Sequence, residues 1–262
     1  MTTVLEDAGP RLQGPPIDAV LFDYGMTLVT FARPTGALEQ AYVDIAARLS
    51  RRYGARRVPP AEVLLTTVHD GVEAAVARHE QSGALREIRL RRVYAEAYRS
   101  LGLRLRGALL DEVQIIEQRA WWGGMRVPAV TLATLGALRW RGVRVGICSN
   151  APYHLKGLQE QLEHLGLRAL VDSTTFSGEV GWRKPSPRIF KRALRDLGAQ
   201  PATTLMVGDR TLEDVEGAHE AGLRAARLRA FVDDAAPEER ADVVLDALDE
   251  VVALVDAARR AE

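Results

Sequence analysis

Between Leu38 and Ala120 the apolar residues recur at helical spacing. Leu38, Tyr42, Ile45 and Leu49 form one set, and Leu64, Val68, Val72 and Val76 a second. Leu90, Val93, Tyr94, Ala97 and Leu101 form a third, and Leu109, Val113, Ile116 and Ala120 a fourth. Each set lies on one face of a helix, and no short strand-like run interrupts them. From Val127 onward the texture changes. The short runs VRVGIC, ALVDSTTF, TTLMVGD, LRAARL and DVVL alternate with segments of helical spacing near 129–141, 153–165, 187–198, 211–221 and 247–260.

Alternating strands and helices predict a parallel sheet with helices on both faces. The earlier run IDAVLFD has the same apolar character and reads as a further strand of that sheet. The predicted fold class is therefore α/β, a doubly wound parallel sheet. An all-α insertion of about ninety residues, the size of a small domain, follows its first strand. The expected division is a poorly ordered lead-in over 1–16, a sheet core over 17–34 and 123–262, and a helical insertion over 35–122. The lead-in expectation rests on its Gly, Pro and polar content.

Composition narrows the partners. The chain has 262 residues, is 47% hydrophobic, and carries 35 basic against 35 acidic residues. Neutrality gives no electrostatic footprint for nucleic acid or for an anionic membrane. No run has the apolar length of a membrane span, and MTTVLEDAGPRLQGPP has neither the basic start nor the apolar core of a signal peptide, so a cytoplasmic protein is expected. The lone Cys148 lies within the apolar run GVRVGICSN and reads as a buried structural thiol. The Arg-rich RLRRVYAEAYR reads as the solvated face of an inserted helix. Oligomeric state is not legible.

In an open parallel sheet, ligands bind beyond the carboxyl ends of the strands. Reading those ends gives Asp23 after VLF, Ser149 and Asn150 after VGIC, Lys184 after the third strand, and Asp209 after LMVG. Two acids, a hydroxyl, an amide and an ammonium along one edge suit a phosphate and a divalent cation. Each has a plainer role beside this one. Asp23 could be a turn residue, Ser149-Asn150 a helix start, and Thr211 an N-cap with Asp214 reaching back in a capping box. Lys184 is one of only three lysines, with Lys156 and Lys191, in an arginine-dominated chain.

Asp23 with Thr27, then Ser149, then Lys184-Pro185, then Gly208-Asp209 with Asp214, each in order at a strand end, resemble the four motifs of the haloacid dehalogenase superfamily. The resemblance implies a Rossmann-like core and a helical cap acting as a lid over the site. It implies that Asp23 is a nucleophile carrying an aspartyl phosphate, that Ser149 and its neighbours Thr27 and Asn150 bind the phosphoryl group, and that Lys184 neutralises charge. It further implies Mg²⁺ as cofactor, held by Asp23, the backbone carbonyl of Gly25, Asp209 and Asp214, and a small phosphorylated metabolite as substrate. No nucleic acid or membrane partner is expected. Oxygen-only ligation favours Mg²⁺ over zinc, for which no Cys/His cluster exists in the sequence.

One position departs from the family's phosphatases, which carry a second aspartate where this chain has Gly25. Loss of that general acid/base costs about 10²- to 10⁴-fold in rate unless the lid, water or a stable leaving group compensates. Family dehalogenases carry Ser-Asn at the second motif, as here, but place a tyrosine at the Gly25 position, whereas this chain has Tyr24 one residue early. Dehalogenases also lack the paired acids that Asp209 and Asp214 supply. A Mg²⁺-dependent phosphohydrolase is therefore expected, with 2-haloacid dehalogenation and a catalytically weak phosphate-binding role as alternatives. Among the five histidines, His69 and His79 in the inserted block are the candidates for a catalytic role, and Trp121 and Trp122 are expected to pack at the hinge.

Overall fold

A computed structural model describes residues 12–232 and 240–260 of the chain. Its centre is a six-stranded, wholly parallel sheet built from β1 (Ala19–Phe22), β4 (Arg144–Ser149), β5 (Ser173–Phe176), β6 (Thr204–Gly208), β7 (Arg224–Leu228) and β8 (Val243–Leu245). The strand order is β5-β4-β1-β6-β7-β8, so β1 lies between β4 and β6 and the order reverses around it. Burial on both faces explains why AVLF contains no polar residue. Val20 and Phe22 enter one core cluster with Val145, Ile147, Leu205 and Val207, while Ala19 and Leu21 enter the opposite one with Ile189, Phe190 and Met206.

Helices cover both faces: α6 (Ala129–Trp140), α7 (Leu155–His164), α9 (Pro187–Leu197), α10 (Gly217–Glu220) and α11 (Glu250–Arg260). The sequence order βαβαβ and the reversal at β1 give a Rossmann-like, doubly wound sheet.

The residues between β1 and β4 include α1 (Thr35–Tyr53), α2 (Ala61–Leu64), α3 (Asp70–Gln81), α4 (Leu90–Ser100) and α5 (Gly107–Ala120). The predicted apolar faces meet there. Tyr42, Ile45, Leu49, Leu64, Val68 and Val72 join Tyr94, Tyr98, Leu110 and Val113 in a third cluster. The second periodic set is not one regular helix, because Leu65–His69 is wound as a π-turn between α2 and α3.

Several details were not legible in the sequence. A two-stranded antiparallel ribbon, β2 (Thr30–Phe31) with β3 (Met125–Arg126), closes the base of the helical block. Two residues per strand are too few to show a period. The short α8 (Ser177–Val180) follows β5 and was hidden for the same reason. The capping box after β6 is displaced: Asp214 accepts from the backbone N–H of Arg210 at 3.0 Å, and a π-turn over Thr211–Glu216 precedes α10. Thr211 instead lies near Arg227, whose Nη1 donates to its hydroxyl at 3.4 Å.

Residues 1–11 of the expected lead-in lie outside the described residues. Leu12 is buried in the core, and Arg224 donates to the carbonyls of Gln13 (3.3 Å) and Pro16 (3.4 Å), while Gln13, Gly14 and Pro15 are exposed. No helix among the described residues is long and apolar enough to cross a membrane.

Candidate active site

Asp23 follows β1 directly, and its N–H still donates to Val207 of β6 at 2.9 Å, which extends the strand's register onto the carboxylate-bearing residue. The chain then turns tightly. The N–H of Met26 donates to the Val29 carbonyl at 2.7 Å, and Leu28 and Val29 both donate to the Tyr24 carbonyl, at 3.0 and 3.1 Å. Met26 closes the turn with φ 60, a left-handed conformation that a side chain adopts at a cost of about 1–3 kcal/mol. The turn buries Thr27 completely and directs its hydroxyl to Asp209 Oδ1 at 3.4 Å.

β4 ends at Ser149, buried beside β1, and the next residue, Asn150, is committed to the main chain of Lys184. Its Oδ1 accepts from the Lys184 N–H at 2.7 Å and its Nδ2 donates to the Lys184 carbonyl at 3.1 Å. Asn150 thus fixes the loop that carries the lysine. The Lys184-Pro185 bond is cis.

The Lys184 ammonium, 2% exposed as a side chain, donates to Asp23 Oδ1 at 2.6 Å and also to Asp214 Oδ1. Burial alone would lower its pKa, but the charges of Asp214 and Asp23 more than offset this and hold the ammonium above its ordinary range. Asp214 Oδ2 accepts from the Arg210 N–H, so both of its oxygens have a donor. Its close seat on β6 requires Gly208, because a Cβ there would lie 2.2 Å from the Asp214 carboxylate.

Asp23, Asp209 and Asp214 each present an oxygen, all within 4.8 Å of one another. Lys184 and the exposed Arg210, whose Nε lies 3.4 Å from Asp209 Oδ2, do not offset the burial of three carboxylates. Burial, then the charges of Asp214 and Asp23, pushes Asp209 up to about 7. Burial, reinforced by Asp23 and opposed by Lys184, pushes Asp214 up to about 6. A hard divalent cation among these oxygens would remove that penalty, so the donor set fits Mg²⁺.

Three further placements bear on the chemistry. Tyr24 is turned into the core, where its hydroxyl donates to Gln161 Oε1 at 3.0 Å and its ring meets Phe176 edge-on. The Cα of Gly25 faces Phe31: a Cβ there would lie 3.0 Å from the ring's Cε1. Cys148 is fully buried, and burial pushes its thiol up to about 12, as expected for a structural role.

Neither candidate histidine reaches this cluster through a direct bond. His69 is fully buried in the helical block, its Nδ1 2.8 Å from Glu117 Oε1, with the Tyr42 and Tyr94 hydroxyls donating to the same carboxylate. His79 Nε2 lies 2.9 Å from the Arg86 carbonyl. Trp121 packs edge-on against Phe31, and Trp122 stacks on His164.

Sequence reasoning missed a clasp next to Lys184. Residues 85–87, between α3 and α4, run antiparallel to 181–183: the Arg183 N–H donates to the Leu85 carbonyl at 3.0 Å and the Glu87 N–H to the Gly181 carbonyl at 3.1 Å. Arg183, buried, donates to Glu80 at 3.1 Å, and Trp182 lies between the guanidinium groups of Arg86 and Arg188. The pairing joins segments distant in sequence, and only the unusual WRKP run hinted at it.

Comparison with known proteins agrees with this geometry. A sequence profile described as a haloacid dehalogenase-like hydrolase matches residues 17–222. Glyceraldehyde 3-phosphate phosphatase of Methanothermobacter thermautotrophicus is 38% identical over 122 residues, covering 47% of this chain and 52% of that protein. The chain thus spans about half the length of the curated relatives it matches. Among solved structures, a HAD phosphatase from Thermococcus onnurineus superposes with a TM-score of 0.57 at 22% identity, covering 92% of this chain and 99% of that one. A 2-haloacid dehalogenase from Pseudomonas syringae pv. Tomato superposes as well, with a TM-score of 0.57 at 23% identity, covering 92% and 98%. Both likenesses establish the fold.

Proposed function

The chain belongs to the haloacid dehalogenase-like hydrolases, and from that membership we propose that it is a Mg²⁺-dependent phosphohydrolase acting on a small phosphorylated metabolite in the cytoplasm. The observation that carries this reading is the cluster of Asp23, Asp209 and Asp214 around one buried lysine. Acids packed this closely destabilise the fold unless a cation offsets their charge, and such clusters mark functional sites.

In this reading the Asp23 carboxylate attacks phosphorus. A bond forms from its oxygen to phosphorus, the bond to the leaving oxygen breaks, and the leaving group departs with the electron pair. Water then attacks the aspartyl phosphate at phosphorus, regenerating Asp23 and releasing inorganic phosphate. Lys184 keeps the nucleophile ionised and offsets charge on the transferred group, while Ser149 and Thr27 line its oxygens. Asn150 is a positioning residue for Lys184. Asp23, Asp209 and the Gly25 carbonyl would hold Mg²⁺ directly and Asp214 through water, since both Asp214 oxygens already accept N–H donors. The cation supplies charge neutralisation as two anions meet. Residues 35–122 act as the lid that excludes water during transfer.

Tyr24 argues against halide displacement, because its hydroxyl is spent on Gln161. The absence of an acid at Gly25 favours leaving groups stable as anions, as in acyl phosphates. The test is release of phosphate from an activated aryl phosphate, with halide release from haloacids scored separately. Turnover should require Mg²⁺ and vanish in Asp23→Asn. Turnover that survives EDTA or that substitution overturns the mechanism.

A further inference from the structure

The helical block carries a second charged feature, remote in chemistry from the acid cluster. Arg89, Arg91, Arg92, Arg99, Arg104 and Arg106 line one groove of about 680 Å³ between α4 and the start of α5. All six side chains belong to exposed residues. Arg91 is tied to Asp111 at 2.8 Å and to the Gly107 carbonyl at 3.1 Å, and Arg92 to Glu96 at 2.7 Å. Among the described residues, Arg89, Arg99, Arg104 and Arg106 have no carboxylate within ion-pair distance. A chain of formal net charge +0 therefore concentrates unbalanced positive charge in one concavity. Packing does not require it, because the buried face of α4 is supplied by Leu90, Tyr94 and Tyr98.

We propose that this groove binds a compact polyphosphate anion. Guanidinium groups match phosphate oxygens in pairs, and a concave wall of them raises the local potential for a multiply charged ligand. The rest of the lining, Ala95, Leu105 and Leu110, offers no aromatic platform. Single-stranded nucleic acid relies on base stacking for much of its affinity, so the groove suits the phosphate chain rather than bases. Arg89 and Arg91 also line a second cavity, of about 690 Å³, which reaches Pro152 and Tyr153 beyond β4 and Gly181 beyond β5. The groove thus shares Arg89 and Arg91 with a cavity that Arg86 and Glu87 of the clasp also line. This inference does not rest on the role assigned to Asp23.

The test titrates tripolyphosphate, ATP and a short single-stranded oligonucleotide into the full chain by calorimetry at low ionic strength. Two triple variants are compared, Arg99→Ala/Arg104→Ala/Arg106→Ala in the groove and Arg51→Ala/Arg56→Ala/Arg57→Ala elsewhere on the helical block. Both keep the acid cluster and the same net charge, so a difference between them belongs to the groove. Circular dichroism confirms folding. The groove variant should bind tripolyphosphate about tenfold or more weakly than wild type while the control variant does not change. Equal affinity for tripolyphosphate and ATP assigns the site to the phosphate chain alone, and tighter ATP binding assigns it to a nucleotide. No binding by wild type, equal binding by the two variants, or tighter binding of the oligonucleotide would each overturn the proposal.

Discussion

Lys184 Nζ donates to Asp23 Oδ1 at 2.6 Å, joining residues 161 positions apart, and the same ammonium holds Asp214. Removing it strands two buried carboxylates. Lys184→Ala should therefore lower stability by about 3–5 kcal/mol and abolish phosphate release, read by urea melts and by turnover with Mg²⁺. Lys184→Arg should also fail, since the planar fork does not fit between two carboxylates placed for a compact ammonium. Arginine supporting near-normal turnover would show that charge alone suffices there.

Gly208→Ala tests how Asp214 is seated. The added Cβ would lie 2.2 Å from the Asp214 carboxylate, so the acid must move or β6 must shift. Overpacking of this kind costs about 1–3 kcal/mol. The Mg²⁺ concentration for half-maximal activity should rise together with the loss of thermal stability. Unchanged metal dependence in a destabilised variant would remove Asp214 from the cation's surroundings.

Much of this site was legible because each of its main residues ends an apolar run. Asp23 and Asp209 follow, and Ser149 ends, strands whose buried middles are apolar, so the polar residue at each carboxyl end stands out. The four helical faces of the inserted block were readable for a related reason, since each buries one stripe. What the sequence hid is non-local or too short for a period. The Asn150 clasp on Lys184, the 85–87 pairing with 181–183 and the β2–β3 ribbon all depend on which distant segments meet. Asp214 illustrates a near miss: it does reach back to a helix start, but to Arg210, because a π-turn there displaces the expected cap by one residue.

The acid cluster sets a pH dependence. Asp209 is pushed up to about 7 and Asp214 up to about 6, both from an ordinary value near 3.8. The native state thus retains protons that the unfolded chain has already released. The stability these two groups contribute without metal should be fully present below about pH 3.8 and should be lost as pH rises from there through about 6 and 7. A divalent cation stabilises the ionised cluster, so the rise in melting temperature caused by Mg²⁺ should be small at acidic pH and large at alkaline pH. Thermal melts with and without Mg²⁺ across that range check this. A shift independent of pH would separate the cation from these carboxylates.

Gly25 offers a gain-of-function test. The space that an aspartate side chain would enter there is bounded by Phe31, whose Cε1 would stand 3.0 Å from the new Cβ. Phe31 is 51% exposed and rests on Trp121, so its ring can be removed without opening the main core. Gly25→Asp alone should gain little, because the new carboxyl must displace the ring. Gly25→Asp with Phe31→Ala should raise turnover of an alkyl phosphate, whose leaving group needs a proton, by up to about 10²-fold. An activated aryl phosphate, whose leaving group departs unaided, should respond much less. Equal effects on both substrates would mean that the substitutions altered binding or lid packing rather than supplying the missing acid.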